Sequence, residues 1–404
     1  MTNDSLRETQ KIFGSRRTWV HMLLLLVAVP VGILSAWLLL DPSTKELWTR
    51  AAGGKDPAAL LELVHRASVS PEVSEGLEQF FEQDAGAMRA LAGLAVSHED
   101  AMLRLLAQIR LHPESIVYMR ELEIDHSFAL GLLQRMPVEA IETLTLYAEK
   151  CPNACFVLGV AHEVGGYHVP QSWELAAIWY GRAYAGGYAP AVSPYAAAAY
   201  QAGDDARRMA RDDSAAAEWF LAAAECGHAG AQCALGVCYA EKKDYAASVY
   251  WYTQAAAQGR RDAQFNLGMC YLHGEGLPRN SAEALRWFRM SAEQQDALAQ
   301  YYVGRAYELG DGVPLDYDTA VYWYRKSVEQ QCAAAQCALG HCYAQGRGVP
   351  QNWTLAVRYY KLSAAQGRNE AQLALADCYE NGYGELRDAA KAQYWRKRAA
   401  SSSK

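Results

Sequence analysis

From residue 151 onward the chain repeats itself at a fixed period, and a chain with such a period has few folds open to it. A Leu-Gly pair or its equivalent recurs at Leu158-Gly159, Leu235-Gly236, Leu267-Gly268, Val303-Gly304, Leu339-Gly340 and Leu375-Ala376. The last four small residues, Gly268 to Ala376, are spaced 36 apart, and a tyrosine follows each three residues later: Tyr271, Tyr307, Tyr343, Tyr379. An aromatic pair recurs in the second half of every unit, from Trp179-Tyr180 through Trp219-Phe220, Trp251-Tyr252, Trp287-Phe288, Trp323-Tyr324 and Tyr359-Tyr360 to Tyr394-Trp395. These make seven units. The second, around Tyr195–Tyr200, reads as having lost its glycine.

Each unit has the pattern of two antiparallel helices. Leucine, the small residue and the tyrosine fall on one face of the first helix at helical spacing. The small residue lets the second helix approach its backbone. Paired-glycine turns ending in proline, such as Gly274-Glu275-Gly276-Leu277-Pro278 and Gly346-Arg347-Gly348-Val349-Pro350, stop the first helix, because glycine accepts left-handed angles and proline cannot continue a helix. One hairpin cannot bury both its faces. Stacked hairpins bury a continuous core, so the class is all-α, a helical-hairpin solenoid, and other such arrays wind into right-handed superhelices.

Here the chain resembles the Sel-one-like repeat family, a relative of the tetratricopeptide repeats. The unit from Ala335 to Gly367 carries the pattern through Leu339, Gly340, Tyr343, Gly346, Gly348, Val349, Ala356, Tyr359, Tyr360, Ala364 and Ala365. The resemblance covers residues 151–400. It implies a protein-interaction scaffold or adaptor, of a kind often found in bacterial envelopes or secretory compartments. Two departures stand out: the turn at 237–246 is four residues short and lacks the glycines, and the last unit has Gly382-Tyr383-Gly384-Glu385 in place of the valine turn. Cysteine-rich members of the family bridge cysteines eight apart just before Leu-Gly. This chain has spacings of seven (Cys226, Cys233) and five (Cys332, Cys337) instead. Buried free thiols are the leading reading, because Cys238, Cys270, Cys342 and Cys378 share one register, as core positions do. A 226–233 bridge stays open in a periplasmic setting.

Ahead of the array the composition changes three times. Residues 1–18 form a short basic tail of net charge +2 (four cations, two anions). Residues 19–40 carry no charge, about the ~20 residues a helix needs to cross a bilayer, with Trp19 and Trp37 near the two ends. Its long apolar core and the missing small-x-small site point to an uncleaved anchor rather than a signal peptide. Arg16 and Arg17 abut the span on its amino side, which predicts a cytoplasmic amino terminus and, in a bacterium, residues 41–404 in the periplasm. Residues 41–150 are acidic, 10 cations against 18 anions, with helical apolar spacing over Ala58–His65, Ala101–Arg110 and Glu139–Tyr147. They form a stalk or cap, or hold eroded repeats if Ala129-Leu130-Gly131 is one.

The net charge of −7 argues against a protein that coats nucleic acid, which needs a basic field. There is no phosphate loop, no His-Glu-x-x-His and no cysteine–histidine pair in a recognisable nucleophile context. Cys151-Pro-Asn-Ala-Cys155 with His162 and His168 could suggest a metal cluster, but helix entry explains it better. No cofactor, metal or catalytic residue is assigned. The rings recur at one helical position, which favours core packing over a platform for sugars or bases. Among the positions just after and four after the small residue, Met269, Arg305, Glu308, His341 and Asp377 vary while their neighbours repeat. They mark a candidate concave face for a protein or peptide partner. The expected function is a membrane-anchored scaffold, with an envelope hydrolase (β-lactamase-like or peptidoglycan-related) as the alternative.

Overall fold

The structure, a computed structural model, describes residues 41–401 apart from single residues and short stretches between 68 and 137. The basic tail and the proposed anchor at 19–40 lie outside the described residues. Among the described residues no helix is long and apolar enough to cross a membrane. The chain divides into two compact units, Met1–Ala202 and Gly203–Lys404.

Among the described residues before the repeats, six helices can be given bounds: α1 (Pro42–Ala51), α2 (Pro57–Ala67), α3 (Ala85–Ala95), α4 (Glu99–Leu111), α5 (His126–Leu133) and α6 (Val138–Tyr147). The spacing-based expectations at 58–65, 101–110 and 139–147 fall inside α2, α4 and α6. Asp41 caps α1, accepting from Ser43 N and Thr44 N at 2.9 and 3.0 Å. Gly131 differs from the repeat glycines, since a Cβ built there would meet nothing within 4 Å.

The first repeat hairpin is α7 (Pro152–Val164) with α8 (Trp173–Ala185). Cys151 stands at the N-cap of α7 with Pro152 in its first turn, so the Cys-Pro-Asn-Ala-Cys run is a helix entry. Next come α9 (Val192–Asp205), α10 (Asp213–Glu225), α11 (Ala229–Glu241), α12 (Tyr245–Ala257), α13 (Arg261–His273) and α14 (Ser281–Glu293). The last six are α15 (Ala297–Leu309), α16 (Tyr317–Glu329), α17 (Ala333–Gln345), α18 (Trp353–Ala365), α19 (Asn369–Asn381) and α20 (Ala389–Ser401). Asp or Asn at Asp244, Asn280, Asp316 and Asn352 caps the second helices through the side chain. The repeat tyrosine explains the loop between helices: its carbonyl accepts from the cap residue, as in Asn352 N to Tyr343 O at 2.8 Å.

A glycine and a ring hold each hairpin together. A Cβ added to Gly236, Gly268, Gly304 or Gly340 would sit 2.6–2.7 Å from ring carbons of Tyr252, Phe288, Tyr324 and Tyr360 respectively. Gly159 and Tyr180 form the same contact at 2.4 Å. The second unit keeps it too, since Gly203 lies 2.7 Å from Phe220 by the same measure. Its glycine is therefore not lost but preceded by alanine, which hid the pair in the sequence. In the five hairpins between the first and the last only the second ring of the pair is core: Phe288 and Tyr324 are 2% and 0% exposed, whereas Trp287 and Trp323 are half-buried against the cluster beside them. In the first hairpin Trp179 and Tyr180 are both buried. In the last hairpin the register shifts by one. Trp395 takes the half-buried place, and the ring position over Ala376 belongs to Arg396.

Within Gly203–Lys404, successive hairpins are joined by buried glutamines that the motif reading missed. Gln264, Gln300 and Gln372 each donate through Nε2 to a carbonyl of the preceding second helix, Ala256, Ala292 and Ala364, at 3.2–3.3 Å. Their register mates Gln232, Gln264, Gln300 and Gln336 accept through Oε1 from Gln258, Gln294, Gln330 and Gln366 at 2.8–2.9 Å. The first set of bonds crosses to the preceding hairpin and the second closes each hairpin on itself, so the amides tie the seating of a hairpin to its own closure.

Candidate functional site

The structure places the five variable positions in four different settings. Met269 is half-buried against the core of α14 and α15. Glu308 accepts from the buried Tyr324 hydroxyl at 2.5 Å and lies 3.8 Å from Arg347. Asp377 pairs with Arg396 at 3.2 Å, and Arg396 also reaches Glu380. Two of the acids therefore serve the neighbouring helix. In two hairpins the acid answers the ring: Glu163 and Glu308, each four residues after the glycine, face the hydroxyls of Tyr180 and Tyr324. Leu272 stands there opposite Phe288, and Ala240 and Ala344 stand there opposite Tyr252 and Tyr360, the latter bonded to His341 instead. A buried phenol needs an acceptor, and a phenyl ring does not.

Arg305 remains exposed and belongs to a cleft of about 370 Å³ between the α13–α14 and α15–α16 hairpins. Leu285, Phe288 and Tyr302 line its apolar side, with Phe288 and Tyr302 stacked at 5.1 Å. His273, Arg279, Arg305 and Asp311 supply its polar groups, and Arg279 lies 3.7 Å from Asp311. The cleft can receive an apolar side chain next to a carboxylate.

His341 sits elsewhere, at the seam between α17 and α19. Its Nδ1 is 2.9 Å from the Tyr360 hydroxyl, and its Nε2 is 3.5 Å from both Cys337 Sγ and Glu370 Oε1. Sequence reading assigned no metal ligands, yet these three side chains offer ligand atoms within 4.8 Å of one another. Cys337 and His341 are four apart on one helix, a signal open to sequence inspection; Glu370 comes from the next repeat and was not.

All ten cysteines are free thiols, eight of them buried, so Cys226 and Cys233 are not bridged. Burial raises Cys155, Cys270 and Cys378 to about 11 and Cys233, Cys337 and Cys342 to about 12. It likewise drives the phenols of Tyr180 and Tyr324 well upward, with their glutamate neighbours adding to the shift. Those directions suit packing side chains, since a nucleophilic thiol needs its pKa lowered.

The Sel1 repeat pattern matches residues 152–188, 195–228, 229–259, 261–296, 297–332, 333–367 and 369–403, more than half of the chain. The chain belongs to the Sel1 repeat family, and its fold is an all-helical repeat solenoid of seven such units. A Sel1 repeat protein from Oxalobacter formigenes is 35% identical over 50% of this chain and 85% of its own, with a TM-score of 0.46. A protective antigen with an SLR fold from uropathogenic Escherichia coli is 24% identical over 89% of this chain and 87% of its own, with a TM-score of 0.50. No curated protein matches the chain.

Proposed function

We propose that this chain is a non-catalytic scaffold whose repeats bind a protein partner, held at a membrane by residues 19–40 with residues 41–404 in the periplasm. The solenoid fold suits protein partners, and the cleft at Arg305 carries the reading further. It pairs an apolar wall with two guanidinium groups on a surface that is otherwise mixed in charge, which fits a peptide bearing an apolar side chain beside an acid. The hydrolase alternative finds less support, because the strongly shifted thiols and phenols are core groups moved away from reactivity. Arrayed peptides carrying an apolar residue next to Asp, Glu or a free carboxyl terminus test the cleft. Binding should fall at least tenfold in Arg305→Glu with helicity and melting unchanged, and equal binding would remove the cleft from consideration. For topology, a cysteine reporter at the carboxyl terminus should react with an impermeant thiol reagent before the inner membrane is opened. Reaction only after opening it would reverse the orientation.

A further inference from the structure

We propose that Cys337, His341 and Glu370 bind one divalent cation of the zinc class, three ligands from the protein and one position open to water. Tetrahedral zinc, with Zn–S of about 2.3 Å and Zn–N of about 2.0 Å, sets its nitrogen and sulfur ligands roughly 3.5 Å apart. His341 Nε2 stands 3.5 Å from Cys337 Sγ and the same distance from Glu370 Oε1. The other ring nitrogen is held by the Tyr360 hydroxyl at 2.9 Å, the outer contact that orients a ligating imidazole. Cys337 is buried while Glu370 is exposed, so the cluster opens to solvent on the carboxylate side. On binding, the thiol proton leaves to solvent and the thiolate and imidazole donate to the metal; no electron is transferred. Arg368, 3.2 Å from Glu370, is the group the cation must compete with.

The chain contains its own control at the seam of α11 and α13. There Cys233 occupies the register of Cys337, Asp262 that of Glu370, Arg260 that of Arg368, and Tyr252 that of Tyr360. Arg260 holds Asp262 at 2.8 Å, as Arg368 holds Glu370, and the Asp262 carboxylate lies within hydrogen-bonding reach of Cys233. Val237 stands where His341 would be, and among the described residues only the Cys337 cluster offers three ligands. The absent imidazole is the main difference between the two seams; the carboxylate of Asp262 is also one methylene shorter than that of Glu370, and Asn266 lies 4.0 Å from Cys233 Sγ where the other seam has Ala374.

Co²⁺ titration of the full chain tests this, since a cobalt–thiolate bond gives a charge-transfer band in the near ultraviolet and a tetrahedral ion gives intense visible bands. One equivalent should produce both, and Zn²⁺ should displace it. Cys337→Ser should remove the charge-transfer band, and His341→Ala and Glu370→Gln should each weaken binding at least tenfold. Glu370 is exposed, so its variant keeps the fold even if Cys337→Ser does not. A wild-type chain without the thiolate band, or a band that survives in the Cys337 variant or is unmoved in both other variants, would overturn the site. Val237→His, on protein with unchanged helicity, should raise the stoichiometry from one to two; a single equivalent would overturn the imidazole as the deciding ligand.

Discussion

The α17–α18 and α19–α20 hairpins are neighbours with equal loops, yet they close their cores differently. In the first, Gly340 leaves room for Tyr360, which is 2% exposed. In the second, Ala376 fills the same place with a methyl, and the ring's position holds Arg396, which turns outward to Glu380 and Asp377. The glycine is thus a consequence of the ring. Where no ring arrives, a Cβ is accommodated and Ala376 is fully buried. The glutamine ladder ends at the same hairpin: Gln372 donates to Ala364, but its Oε1 has no partner among the described residues. The bond that is missing is one within a hairpin: Gln336 on α17 accepts from Gln366 just after α18, and the equivalent position after α20 lies outside the described residues.

Breaking the interior arrangement should have the largest effect. Tyr360→Ala should cost about 3–5 kcal/mol in a denaturant titration, as a large buried aromatic lost from a core, while Arg396→Ala at the equivalent position should cost under about 1 kcal/mol. Equal losses would mean the two hairpins are packed alike. Gly340→Ala comes next, at about 1–3 kcal/mol of overpacking against the Tyr360 ring. Combining it with Tyr360→Arg, which copies the terminal hairpin, should give a total well below the sum of the singles; strict additivity would separate the glycine from the ring.

The ladder provides a subtler contrast. Gln336→Leu removes one of the two acceptors of the exposed Gln366, which keeps the Gln331 carbonyl, and should cost about 0.5–1.5 kcal/mol, measured by thermal melting. Gln372→Leu, which deprives no other glutamine of an acceptor, should cost less. The smallest effect is expected from Ala376→Gly, about 0.5–1 kcal/mol of helix propensity with no ring to benefit from the space. A stabilising result there would show that a methyl is unwelcome over α20.

Most of the fold was legible because its determinants are local. The 36-residue period, the αL glycines at Gly346 and Gly348 and the Asp and Asn caps act within a few residues of themselves, so periodicity and turn chemistry expose them. The errors came where a position is judged by what lies across from it. Gly203 was overlooked because alanine, not leucine, precedes it, yet Phe220 packs on it as Tyr252 does on Gly236. Both rings of each aromatic pair read as core, although adjacent side chains point about 100° apart on a helix, and in the five hairpins between the first and the last only the second ring is buried.

The candidate sites divide the same way. Met269, Arg305, Glu308, His341 and Asp377 could be picked as variable by register alone, but register cannot say which of them is already occupied. Tyr324 engages Glu308, Arg396 engages Asp377, and Arg305 is left facing the cleft, as the contacts across each hairpin show. The sequence by itself determined an all-α array of Sel1 hairpins, because period and turn residues restrict the backbone locally. Only the tertiary structure decided that Glu370 meets Cys337 and His341, that glutamines bond from one hairpin to the next, and that a methyl replaces a glycine where no ring arrives. Each of these depends on groups eight to 33 residues apart in sequence meeting in space, where close packing, rather than local preference, decides which side chains share a volume.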